Sequence, residues 1–123
     1  MDNKPTQYIK QVSQSEYLSV YQLLQDVTMN NLPLVQKEFT ELTESKEIHN
    51  ILFDLSAVKK SDTAGVAALV ELIHVMKTKH IKGQVGLVGL SKNLESLLLV
   101  TKVSSMFKIF SSEKKAKEAL SKA

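Results

Sequence analysis

Apolar runs of strand length alternate along the chain with apolar stripes at helical spacing. YIKQV (8 to 12) and YLSVYQLL (17 to 24) are β-prone runs separated by the polar SQSE, which predicts an antiparallel hairpin. After QDVTMN, Leu32, Val35, Phe39 and Leu42 recur on one helical stripe, with Gln36, Lys37, Glu41 and Glu44 on the polar side. Asn31 or a neighbour can cap this helix, and Pro33 suits its first turn. IHNILFDL (48 to 55) is nearly continuous in apolar residues, the mark of a central strand covered on both faces.

A second helix is predicted over 65 to 80. Val66, Leu69, Val70, Ile73 and Met76 form its inner face, widened by Ala67, Ala68, Leu72 and Val75, with Glu71, His74, Lys77 and Thr78 facing away. GQVGLVGL (83 to 90) reads as another buried strand, in which Gly86 and Gly89 mark close backbone approach or the strand end. Ser91 then caps a helix with Leu94, Leu97, Leu98 and Thr101 on one side. FKIF (107 to 110) alternates like a short strand, and Ser111 or Ser112 caps a last helix with Ala116, Ala119 and Leu120 facing in. The order β-β-α-β-α-β-α-β-α defines an α/β fold, a mixed sheet with right-handed parallel crossovers and helices packed against it.

Composition narrows the function classes. At 123 residues with no linker-like stretch and no internal repeat, a single domain over 1–123 is expected, with its core at about 8–120. Zero cysteines exclude disulfides, thiolate metal sites and a thiol nucleophile. No window is long and apolar enough to span a membrane, and MDNKPTQYIK lacks the apolar core of a secretion signal, so a cytoplasmic location is expected. All sixteen basic residues are lysines, against thirteen acids. A chain without guanidinium groups is poorly equipped for direct nucleic-acid reading, so no such partner is expected. In the tail, Glu113 to Lys117 and Glu118 to Lys122 sit four apart, the spacing of a solvated helix face. Neither an unusual apolar patch nor a heptad run is visible.

The chemistry concentrates in SDTAG, residues 61 to 65, where a strand hands over to a helix. Asp62 or Thr63 can accept a hydrogen bond from the free amides of the first helical turn, and Gly65 fits the same turn. A hydroxyl there stands at the carboxyl edge of the sheet, where α/β proteins present their sites. Phosphate loops, dinucleotide fingerprints and nucleophile elbows are absent. His49, His74 and His80 lack metal-ligand spacing, and Asp54 can cap a turn or share the rim with Asp62, without a base or nucleophile beside them. No metal, cofactor or catalytic residue is expected, and the chain reads as a non-enzyme.

These motifs together resemble the STAS domain of bacterial anti-sigma-factor antagonists. DLS (Asp54 to Ser56), DTAG (Asp62 to Gly65), GLS (Gly89 to Ser91) and FKIF (Phe107 to Phe110) follow the family's order and spacing over about 48 to 120, whereas the first 47 residues are more divergent. The resemblance implies partner switching in transcription regulation. A GHKL-type anti-sigma-factor serine/threonine kinase binds the unmodified domain, releases its sigma factor and phosphorylates the domain at Thr63; a phosphatase restores it. By the same resemblance Asp62, Thr63, Ala64, Gly65, Val66 and Leu69 belong to the partner-binding face. Thr63 replaces the commoner serine and Ala64 replaces a second hydroxyl, and the threonine methyl restricts χ1. The DT-small-G pattern is also similar to that of a STAS subunit that binds the ATPase of phospholipid-trafficking ABC transporters, and non-phosphorylated STAS scaffolds are a further form.

Overall fold

The computed structural model describes residues 8–44, 48–59, 62–100 and 106–121. Among them, β1 (Ile9–Gln14) and β2 (Leu18–Leu23) form the expected antiparallel hairpin. There follow α1 (Leu32–Thr43), β3 (Asn50–Asp54), α2 (Thr63–His80), β4 (Val85–Val88), α3 (Lys92–Val100), β5 (Lys108–Ile109) and α4 (Glu113–Leu120). The five strands make one sheet in the order β1-β2-β3-β4-β5, with β2 to β5 mutually parallel. Element order and mixed sheet are those expected from the sequence.

The central place of β3 explains its composition. Ile51 and Phe53 enter the main core with residues of α1, α2 and α3, while Leu52 joins a smaller core with Leu18, Val20, Val88 and, from α4, Ala116 and Leu120. Both faces of β3 are therefore covered, by three helices on one side and one on the other. Its buried polar residue, Asn50, is fully used. The side-chain amide donates to the Leu120 carbonyl at 2.8 Å, and its oxygen accepts from the Gln84 amide at 2.8 Å. Asn50 thereby ties the end of α4 to the sheet. Gly86 serves the same contact, because a β-carbon there would come within 2.6 Å of Leu120 Cδ1 and 2.9 Å of Phe110 Cε2.

Several local expectations shift. Asn31 holds the N-cap position of α1, but its side chain turns back into the loop, accepting from Thr28 N at 2.7 Å and donating to the Asp26 carbonyl at 2.9 Å. α2 starts at Thr63, two residues before the expected start, because Asp62 caps it and lets Thr63 and Ala64 enter the first turn. Ala68 and Leu72 lie fully in the core, whereas Ala67 is exposed. In α4, Ser112 is the cap, through Lys115 N at 3.2 Å, and Glu113 pairs with Lys117 at 2.9 Å. Ala119 is exposed, so Ala116 and Leu120 alone form the buried stripe of this helix. Ser91 caps α3 as expected, accepting from Leu94 N at 3.1 Å. Thr101, Ser61 and Lys122 lie outside the described residues.

Candidate functional site

β3 leaves the sheet through DLS, whose residues build the turn that delivers the chain to α2. Asp54 Oδ1 accepts from Ser56 N at 2.9 Å, Leu55 N donates to the Val88 carbonyl, and Val58 N donates to the Leu55 carbonyl. The expectation that Asp54 caps a turn is met. Lys59 N donates to Asp26 Oδ1 at 2.6 Å, joining this segment to the loop after β2. Gly89 ends β4 against the same turn. Its φ of +80° is left-handed, and a β-carbon there would lie 2.8 Å from Asp54 Oδ1 and 3.0 Å from Ser56 N. Both DLS and GLS therefore shape one edge of the sheet.

The start of α2 stands on that edge. Asp62 is extended, with φ −93° and ψ 173°, and its Oδ1 accepts from Gly65 N at 2.8 Å while its carbonyl takes the Val66 amide at 3.0 Å. The Val66 bond is the first regular bond of the helix, and of the orphan amides at the helix start the Asp62 side chain satisfies that of Gly65. Those of Thr63 and Ala64, in the first two helical positions, have no acceptor within the helix. Asp62, Thr63 and Ala64 are all exposed. The hydroxyl of Thr63 thus stands on the surface at the positive end of an 18-residue helix.

A family model for the STAS domain matches residues 9–116. The chain belongs to the STAS domain family. Among solved structures, an anti-sigma factor antagonist from Mycobacterium paratuberculosis is similar at 17% identity and a TM-score of 0.70, over 93% of this chain and 95% of the other. A STAS domain protein from Planctomyces limnophilus is similar at 17% identity and a TM-score of 0.69, over 94% and 100%. Murine Solute Carrier 26 family member A9, an anion transporter, is similar at 15% identity and a TM-score of 0.68, over 89% of this chain and 18% of the transporter. At these identities the likeness concerns the fold. No curated protein sequence matches the chain.

Within this STAS domain the six residues singled out from the sequence divide in two. Asp62, Thr63 and Ala64 form an exposed cluster, whereas Gly65 is buried, Val66 is 3% exposed and Leu69 is 1% exposed. Leu69 faces the core with Leu72 and Ile73 and seats α2 on the sheet. The reachable surface beside Thr63 lies elsewhere. An open groove of about 440 Å³ runs between α2 and α3, with Thr63, Ala67, Val70 and Glu71 on one wall and Leu97 and Val100 on the other; Val66 shows only an edge to it. The composition pointed to no unusual apolar patch, yet Val100 is 71% exposed and Leu99 57%. The signal is present in LLLV (97 to 100), four apolar residues in succession of which Leu98 is buried and Leu97 half-buried against the core, leaving Leu99 and Val100 outside.

A more polar depression of about 290 Å³ lies between α1 and α2, lined by Lys37, Glu41 and Lys79 among others. It begins at Val75, roughly 18 Å along α2 from Thr63 at 1.5 Å per residue, and so belongs to the other end of the helix. His49 is exposed and meets Tyr17 edge-to-face at 5.6 Å, and His74 is also exposed. Among the described residues no group of three potential ligands is placed to hold a metal ion, and no helix is long and apolar enough to cross a membrane.

Proposed function

We propose that this domain is an anti-sigma-factor antagonist that works by partner switching. Unmodified, it binds a GHKL-type anti-sigma-factor kinase over the start of α2; phosphorylated on Thr63, it is released, and a phosphatase resets it. The domain is the substrate of this cycle and not its catalyst. The observation that carries the reading is the position of Thr63, an exposed hydroxyl at the first helical position of α2, immediately after the capping Asp62.

The same geometry supplies a mechanism for release. Phosphorylation adds about 1.5 to 2 negative charges. They fall beside amides that the helix leaves unbonded and at the positive end of the helix dipole, which favours an anion by about 0.3–1 kcal/mol. These favourable terms offset repulsion from the neighbouring Asp62 carboxylate, so the domain is expected to keep its fold when phosphorylated. A partner lying over the same surface has to strip water from it, and an unpaired charge withdrawn from water costs several kcal/mol.

The test is to incubate the domain with ATP and a GHKL-type anti-sigma-factor kinase from the same genome, and to map phosphate by mass spectrometry. Phosphate on Thr63, abolished in Thr63→Ala, is the expected result; no modification and no complex with the kinase would refute the proposal. Thr63→Glu is expected to weaken kinase binding at least tenfold with an unchanged circular dichroism spectrum. Copurification with an ABC ATPase in place of a kinase would move the domain to the transporter role.

A further inference from the structure

We propose that the α2/α3 groove receives an apolar helical segment of the partner that carries a basic side chain opposite Glu71. The proposal rests on the reading of Thr63 as the switch position, since that residue stands at the head of the same groove.

Three features of the groove select this occupant. The first is charge. Among the described residues no lysine lines the groove, and Glu71 is its one charged side chain. An apolar segment with one Lys or Arg matches that wall, whereas an acidic segment meets Glu71 unpaired.

The second is the surplus of apolar residues on α3. Leu94 and Leu98 are buried in the core and Leu97 packs partly against it, yet Leu97 also lines the groove together with Val100, which is 71% exposed where a helix serving only its own core turns polar. Exposed apolar surface beside a polar functional position is characteristic of a docking site.

The third is shape. The groove is half open to solvent, a trough along which a helix can lie with one face buried. Glu71 lies eight residues after Thr63, about 12 Å or two helical turns, the length over which a docked helix presents its recurring apolar anchors.

This arrangement also extends the release mechanism. A dianion on Thr63 stands at the mouth of an apolar channel, so a helix that fills the channel desolvates the phosphate as it docks. Docking and phosphorylation then exclude one another without movement of α2.

The test is selection of a random peptide library on phage against the full chain, followed by affinity measurement of the enriched peptides. Enriched sequences are expected to show apolar residues at helical spacing and a Lys or Arg. Ala67→Lys, at an exposed position of α2, is expected to weaken them about tenfold or more, Thr63→Glu to weaken them similarly, and Glu71→Lys to shift the selection to acidic peptides. Circular dichroism on each variant confirms that the fold is kept. Failure to enrich any peptide, or equal binding to wild type and Ala67→Lys, overturns the proposal. A wild-type dimer in sedimentation that Ala67→Lys abolishes also overturns it, by assigning the groove to a second copy. If peptides select as expected while Thr63 takes no phosphate from the kinase, the groove stands and the partner-switching reading falls.

Discussion

The cap of α2 can be separated into its hydrogen bond and its charge by two substitutions at Asp62. Asp62→Ala removes the acceptor of the 2.8 Å bond from Gly65 N and removes the carboxylate from the positive end of the helix. Loss of an N-cap acceptor costs about 1 kcal/mol, and loss of the charge about 0.3–1 kcal/mol more. Because Gly65 is buried, its amide is poorly placed to recover the bond from water, so a total of about 1.5–2 kcal/mol is expected. Unfolding entropy of about 2.1 cal/mol/K per residue amounts to about 0.26 kcal/mol/K over this chain, so the melting temperature should fall by roughly 6–8 °C. Asp62→Asn keeps an acceptor oxygen and loses only the charge, and should fall by no more than about 4 °C. Differential scanning calorimetry reads both. An unchanged melting temperature in Asp62→Ala, or equal falls in the two variants, refutes the assignment of the cap to the hydrogen bond. Kinase phosphorylation of the folded Asp62→Asn domain then measures what the carboxylate contributes to recognition apart from stability.

Asn50→Ala leaves the Leu120 carbonyl and the Gln84 amide without their side-chain partner and is expected to cost about 2–3 kcal/mol in urea unfolding, with faster hydrogen exchange in α4; equal exchange would show that Asn50 does not hold that helix. Tyr21→Phe is expected to stabilise by about 1 kcal/mol, because the Tyr21 hydroxyl is buried with no hydrogen-bond partner and the ring contact with Phe39 at 5.3 Å survives. Burial also raises the Tyr21 pKa above 10.0. Below that pH the phenol is neutral in both states, and above it the unfolded chain ionises first, so stability falls as pH rises from 10 towards the folded pKa. Urea unfolding at neutral pH and above pH 10 should show a part of this loss that is missing in Tyr21→Phe, and identical profiles would refute it. Gly89→Ala combines a φ of +80° with a 2.8 Å approach to Asp54 Oδ1 and should destabilise by about 1–2 kcal/mol; an unaltered melting temperature would show that the DLS turn adapts.

Much of the fold is legible because its signals are local. The apolar run at 48 to 55 marks a strand buried on two faces, and β3 is that strand. Helical periodicity identifies α2 and α3, and the cap residues Asp62, Ser91 and Ser112 each accept the expected first-turn amide. Where reading failed, a competing partner had intervened. The Asn31 side chain satisfies the loop backbone instead of its helix, and the two extra residues at the start of α2 follow from the choice of Asp62 as cap. Alanine carries too little apolar surface to declare its face, so spacing places Ala67 and Ala119 inward although both lie outside.

Periodicity and capping act within a few residues, so the succession of elements and the placement of an acid, a hydroxyl and a glycine at the start of a helix are already written in the chain. Which of those residues are reachable depends on long-range packing. Packing on the sheet withdrew Gly65, Val66 and Leu69 from the surface and left Asp62, Thr63 and Ala64 outside. It also set Ala67 and Val70 across from Leu97 and Val100, about thirty residues away in the chain, so that an apolar excess in α3 became one wall of a groove beginning at Thr63. No local rule reports that meeting, because it depends on how two helices settle side by side on the same sheet.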